Sequence, residues 1–266
     1  MTRSISFRGK RLEYEIRGTG LPVMLVHGFM EDRRIWDPLL KGLEKNYRWI
    51  LPDLPGSGLS EFNNSLTTLD DFAQALIAVV EQEKIPEMVL IGHSMGGYIS
   101  LMLAEKYPER LLALGLFHSS SYPDSPEKQE AREKNIRFIE KYGSALFIEQ
   151  AIPGLYSDGF AKQNPEEILK QIDRYANFFS DSLVQYLSAM KIRPATTRIL
   201  ASFIRPILFI MGELDKAVPI QDALAQCHIP QISYIQILPH TAHMGMIEDT
   251  PLCQAFIDAF LQQILS

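Results

Sequence analysis

Short apolar runs with little polar interruption punctuate the chain: PVMLVHG (22–28), YRWILPD (47–53), MVLIG (88–92), LLALGLF (111–117), PILFIMG (206–212) and SYIQILP (233–239). Each is too short for a typical globular helix, and together they lack the strict alternation of a sheet with one wet face, so they predict strands buried on both sides. Upstream, SISFRG and RLEYEIRG flank Gly9-Lys10 and predict a hairpin. Between the strands the apolar residues recur at helical spacing: at 36–45, in LDDFAQALIAVVEQE behind a Thr68 cap, from Ser94 to just before Pro108, at 220–227 and at 251–264. Strands and helices that trade places in this way predict an α/β fold, a doubly wound, mostly parallel eight-stranded sheet.

One interval breaks the alternation. From 121 to 203 no strand pattern occurs, and charged helical text such as PEKQEAREKNIRFIEKYG and PEEILKQIDRYANFF takes over. The expected organisation is therefore a core domain of residues 1–120 and 204–266, with residues 121–203 inserted as a helical cap. The insertion carries Phe138, Phe147, Tyr156, Phe160, Tyr175, Phe178, Phe179 and Tyr186, more large aromatics than small amphipathic helices need on one stripe. They either form the insertion's own small core or line a pocket between insertion and sheet.

Composition narrows the partners. The formal net charge of −6 lacks the basic excess that nucleic acid or an anionic membrane surface attracts. Apolar runs stop far short of the roughly 20 residues needed to span a bilayer. Cys227 and Cys253 make no CxxC pair, and the amino terminus has no apolar signal core, so a cytoplasmic protein acting on a small molecule is expected. The oligomeric state has no signature in the sequence.

The chemistry concentrates where MVLIG runs into HSMGG. Gly92, Gly96 and Gly97 surround Ser94 at a strand-to-helix junction, the G-x-S-x-G pattern of a nucleophile elbow. With 16 glycines among 266 residues, chance supplies that pattern only roughly 0.07 times. A serine hydroxyl needs a base to take its proton and an anion to orient that base. In a parallel sheet the partners belong in loops beyond the carboxyl ends of strands. Asp215 follows PILFIMG and His243 follows SYIQILP, so Ser94, Asp215 and His243 are the expected nucleophile, acid and base. His240 is a rival base in the same loop, and Glu213 and Asp124 are rival acids. His93 is expected to pack behind the serine, while His118 and His228 have no comparable placement. Backbone N–H groups of Met95, at the start of a helix, and Phe29, after PVMLVHG, are the expected oxyanion donors. No cofactor is expected. No metal is expected either, because HTAH (240–243) lacks the carboxylate of an HExxH site.

VHGF (26–29), DLPGSGLS (53–60), GHSMGG (92–97), GELD (212–215) and HMGMIEDTP (243–251) together resemble the α/β hydrolase superfamily, in its capped branch of small esterases and carbon-carbon hydrolases. The resemblance spans nearly the whole chain. It implies that the base is the histidine followed five residues later by Glu and then by Pro, which His243, Glu248 and Pro251 match and His240 does not. It also implies that Asp53 and Gly56 form a structural turn. Ser94 stands where dehalogenase and epoxide hydrolase relatives place aspartate, which argues against those activities. The resulting expectation is a serine hydrolase cleaving a small or medium, largely apolar carboxylic ester through an acyl-enzyme. A carbon-carbon bond hydrolase or lyase and a slow-turnover small-ligand receptor are the alternatives.

Overall fold

The computed structural model describes residues 1–43 and 46–265. Strands β1 (Thr2–Phe7), β2 (Lys10–Arg17) and β3 (Leu21–Val26) lead through a short helix α1 (Asp37–Leu40) to β4 (Tyr47–Pro52). Then α2 (Leu69–Gln82), β5 (Met88–His93), α3 (Met95–Lys106) and β6 (Leu111–Phe117) alternate. Six helices follow without a strand: α4 (Pro126–Tyr142), α5 (Ser144–Ala151), α6 (Asp158–Gln163), α7 (Pro165–Tyr175), α8 (Ser180–Lys191) and α9 (Thr197–Ser202). The chain closes with β7 (Ile207–Gly212), α10 (Ile220–Gln226), β8 (Ser233–Leu238), α11 (Gly245–Glu248) and α12 (Thr250–Leu265).

The eight strands form one sheet in the order β1-β2-β4-β3-β5-β6-β7-β8. β2 runs antiparallel to both its neighbours, and every other pairing is parallel. Strand order reverses around β3, which has β4 on one side and β5 on the other. In open α/β sheets the crevice at such a switch point, beyond the carboxyl ends of the strands, is where ligands bind.

Local chemistry explains the elements. Thr68 starts α2 with a full capping box: its side chain accepts from the Asp71 N–H while the Asp71 carboxylate accepts from the Thr68 N–H. The interior strands β5, β6 and β7 are buried almost throughout, as their unbroken apolar text requires. α3 is buried over most of its length, which accounts for its lack of a polar face.

Three expectations need correction. The hairpin turns at Arg8-Gly9, not Gly9-Lys10, because both residues adopt positive φ (47° and 77°), the conformation of a two-residue hairpin loop. The helix expected at 36–45 is a 3-10 turn, Arg33–Trp36, followed by the single turn of α1. Asp32 caps that turn by accepting from the Arg34 N–H, and Gly42 at φ 100° lies beyond α1; the end expected at Lys45 lies outside the described residues. β8 is an edge strand with Ile235 and Ile237 exposed, so the sheet is not covered on both faces there.

Candidate active site

Each predicted site residue sits just beyond the carboxyl end of a parallel strand. Ser94 follows β5 and is the residue before α3, at φ 50° and ψ −117°. A non-glycine residue there is strained, and the surrounding packing must hold it. The glycines permit that packing by close approach. A Cβ on Gly92 would strike the Gly96 carbonyl, one on Gly96 would lie 2.6 Å from the His27 carbonyl oxygen, and one on Gly97 would lie 2.5 Å from Ser119 Cβ.

Asp215 and His243 meet across the loops after β7 and β8, with His243 Nδ1 2.8 Å from Asp215 Oδ2. Both are buried. Asp215 Oδ1 accepts from the Ala217 and Val218 N–H groups at 2.8 and 2.9 Å, which fixes the carboxylate plane. Burial alone would raise the Asp215 pKa, but the neighbouring histidines hold it far below the usual carboxylate range. Burial likewise disfavours the His243 imidazolium, yet the charge and hydrogen bond of Asp215 prevail and raise its pKa above the ordinary value. With Nδ1 tied to Asp215, Nε2 is the free edge of the ring. His243 and Ser94 line the same cavity, of about 120 Å³. No Ser94 Oγ to His243 Nε2 hydrogen bond is formed among the described residues, and such bonds commonly tighten only when substrate arrives.

The loop carrying His243 is braced on both sides. Glu248 Oε1 accepts from the Ala242 N–H at 3.0 Å, Glu248 Oε2 accepts from the Ser157 N–H at 2.9 Å, and the His243 N–H donates to the Leu155 carbonyl at 2.9 Å. His240, the rival base, is exposed and lies 4.0 Å from exposed Glu213, the rival acid. Asp124, the other rival, is buried and held by Arg132 and Arg193. Asp53 accepts from the N–H groups of Arg33 and Leu59, at 2.9 Å each, and pairs with the Arg33 guanidinium, closing the turn that contains Gly56. The N–H groups of Phe29 and Met95, expected as oxyanion donors, have no hydrogen-bond partner among the described residues.

Two further groups join the site whose role the sequence pattern does not reveal. His118, which has no comparable placement in the sequence pattern, follows β6 with φ 48° and places Nδ1 3.1 Å from Asp215 Oδ2. The Gly212 N–H lies 3.2 Å from the same nitrogen, but an ionised carboxylate favours the tautomer whose Nδ1 proton faces Oδ2. Burial lowers the His118 pKa to about 4, so the ring is neutral near pH 7, and Nε2 has no partner among the described residues. His93 does pack behind the serine, as expected, but within a network: Nδ1 lies 3.0 Å from Glu31 Oε2 and Nε2 lies 3.0 Å from the His243 carbonyl oxygen. Glu31 also accepts from the Gly28 N–H at 2.6 Å. Both ring nitrogens of His93 thus face acceptors, the Glu31 carboxylate on one side and the His243 carbonyl on the other. A single buried Glu in GFMED carries no sequence signature that separates it from a surface residue.

His118, Asp215 and His243 bring potential metal-ligand atoms within 4.8 Å of one another. The two Nδ1 to Oδ2 hydrogen bonds account for this closeness. The cavity wall facing Ser94 includes Arg132, Leu155 and Met190 from the inserted helices. None of the eight insertion aromatics is in that wall. Phe147 and Tyr186 pack on Phe29 with ring centroids 6.1 and 6.5 Å apart, and Tyr186 OH donates to the Pro55 carbonyl. Tyr156 and Tyr175 line a small adjoining cavity of about 10 Å³, and Tyr175, Phe178 and Phe179 line a separate one of about 300 Å³ whose other wall includes Asp32, Gly56 and Ser60.

A doubly wound sheet with a strained serine at a strand-to-helix turn is the architecture of a hydrolase. Residues 23–254 match the family model described as the alpha/beta hydrolase family, and the chain belongs to that family. It is 27% identical over 231 residues to the biotin biosynthesis bifunctional protein of Cellvibrio japonicus, covering 83% of this chain but spanning only 43% of that relative. It is 25% identical over 260 residues to a pimeloyl-[acyl-carrier protein] methyl ester esterase of Legionella pneumophila, covering 92% of this chain and 97% of the relative. The structure of a thermophilic esterase from Thermogutta terrifontis, determined with malate bound, superposes with a TM-score of 0.94 over the whole of both chains at 29% identity. Among the described residues no helix is long and apolar enough to cross a membrane.

Proposed function

We propose that this α/β hydrolase cleaves a small carboxylic ester through an acyl-enzyme on Ser94. The observation that carries the reading is Ser94 and His243 lining one cavity with His243 Nδ1 held by Asp215. The esterase relatives support the same reaction class. Ser94 Oγ attacks the ester carbonyl while His243 Nε2 takes its proton, and Asp215 stabilises the imidazolium that forms. The Phe29 and Met95 N–H groups receive the oxyanion, each contributing about 10²- to 10³-fold in rate. The imidazolium then protonates the departing alcohol, and a water activated by the same ring hydrolyses the acyl-enzyme.

Residues 121–203 act as a cap in this reading, since Arg132, Leu155 and Met190 close the cavity over the serine. Cys227 and Cys253 are buried free thiols, which fits a cytoplasmic enzyme. The test is labelling with a fluorophosphonate probe. Covalent labelling lost in Ser94→Ala, together with ester hydrolysis by the parent, is the expected result; a folded parent that neither labels nor turns over esters refutes it.

A further inference from the structure

The cavity wall contains one cation that ester hydrolysis by itself does not require. Arg132, on α4, lines the cavity with Ser94 and His243. Its Nε and Nη2 both engage the Asp124 carboxylate, leaving Nη1 without a partner among the described residues. Asp124 lies just before α4 and its side chain is fully buried. It also accepts from Arg193 Nη1 at 2.6 Å. Two guanidiniums therefore share one carboxylate, and one positive charge is left uncompensated. Arg193 is fixed elsewhere: Nη2 donates to the Tyr122 carbonyl at 3.0 Å, and its guanidinium carbon lies 4.1 Å from the centroid of the Tyr98 ring, itself part of the cavity wall. Arg132 alone of the two reaches the cavity beside the serine.

The surrounding charges point the same way. Tyr98 and Val218 also border a second cavity, of about 150 Å³, whose lining adds Lys128 and Arg193 against the single carboxylate of Asp222. The one carboxylate in the wall of the Ser94 cavity is Glu31, and it is occupied by the Gly28 N–H and His93. The cavity is thus polarised, with an occupied anion on the Glu31 side and an anchored, partly unengaged guanidinium at Arg132. A guanidinium fork held in place on one side by a carboxylate is preorganised to accept a second anion with its remaining donors.

We infer that Arg132, anchored by Asp124, is a carboxylate subsite, and that the ester cleaved at Ser94 carries an anionic group a few atoms from the scissile carbonyl. This rests on the esterase reading above and narrows its substrate from a largely apolar small ester to a small anionic one. A charge-assisted hydrogen bond to such a group is worth about 1.5–3 kcal/mol, about ten- to a hundredfold in selectivity.

The experiment compares kcat/KM by proton release for monomethyl succinate against dimethyl succinate, and for acetoxyacetate against ethyl acetate. The first pair places the anion on the acyl side and the second on the alcohol side. The parent enzyme is expected to prefer the anionic member of at least one pair by about ten- to a hundredfold, expressed in KM. Arg132→Gln should erase that ratio and Arg132→Lys should keep part of it. Because each ratio is taken on one preparation, any loss of folded protein cancels. Equal or better use of the neutral esters, an unchanged ratio in Arg132→Gln, or no turnover of either anionic ester overturns the subsite. Hydrolysis of neutral esters with Ser94 labelled by fluorophosphonate would leave the esterase reading standing; absence of both would remove it together with the subsite.

Discussion

His243 and His93 stand side by side, their ring centroids 4.9 Å apart, and each pairs through Nδ1 with a buried carboxylate. Their second nitrogens face different things. Nε2 of His243 has no hydrogen-bond partner among the described residues, in a ring that lines the cavity of Ser94, as the proposed proton acceptor requires. Nε2 of His93 faces the backbone carbonyl of His243, so its proton is committed to holding that loop. Glu31 completes the brace by accepting from the Gly28 N–H, one residue before Phe29. The same chemical pair, at nearly the same burial, fits the proton relay proposed above in one place and in the other ties the Gly28 loop to the His243 loop. The direction of the second nitrogen separates the two roles.

Substitutions should divide along that line. His243→Ala is expected to lower kcat by at least about 10⁴-fold with the protein still folded, as measured by single-turnover hydrolysis and circular dichroism. Activity retained within tenfold would show that the relay lies elsewhere. Glu31→Gln removes the buried carboxylate that meets both the Gly28 N–H and His93 Nδ1 and should cost about 1–3 kcal/mol of stability in a urea titration. An unchanged midpoint would mean that the clamp bears no load.

The pairs also differ in their pH dependence. Burial opposes ionisation of Glu31, but the charge and hydrogen bond of His93 outweigh it and lower its pKa below the ordinary 4.5. Its stabilising contribution is therefore present above 4.5 and lost as pH falls through the lowered value, so Glu31→Gln should flatten the acid-unfolding slope in that window. His243 has a raised pKa and is active as the neutral base, so kcat/KM should fall as pH drops through a value above 6.5. The stability its pairing contributes is present below 6.5 and is lost as pH rises through that same raised value.

His118 sharpens the comparison further, because its Nδ1 meets the same Asp215 Oδ2 as His243 Nδ1 while its ring packs edge-on against His243, centroids 5.7 Å apart. In His118→Leu the carboxylate loses a donor and becomes more basic, so the acidic limb of the kcat/KM profile should move to higher pH. His118→Asn retains a donor and should restore it, with kcat on the plateau changing less than about tenfold in both. A limb that stays in place in His118→Leu would reduce His118 to packing. The smallest effect is expected at Thr68→Ala, which removes the α2 cap far from both pairs. It should cost about 1 kcal/mol of stability and leave kcat/KM and its pH profile unchanged.

Much of this arrangement could be read from the chain. Interior strands announced themselves as unbroken apolar runs because parallel strands are buried on both faces, and α2 announced its start through Thr68 and Asp71. GHSMGG was legible because a strained turn under close packing restricts its flanking positions to glycine. The edge strand β8 was over-read, since its apolar text looks the same whether or not a helix covers it. Residues 36–45 were over-read as well, because apolar spacing alone does not register that Asp32 starts the turn early.

By itself, then, the sequence determined the order of elements, the elbow and the chain positions of Ser94, Asp215 and His243, all of which depend on local pattern and strand-end placement. Tertiary structure alone decided that His118 joins Asp215 across 97 residues, that His93 and Glu31 meet across 62, and that Arg132 rather than an aromatic ring of the inserted helices lines the cavity of Ser94. The physical reason is that a buried polar or charged side chain takes its role from the partner it meets, and partners brought together by sheet order and an inserted cap leave no periodicity in the chain.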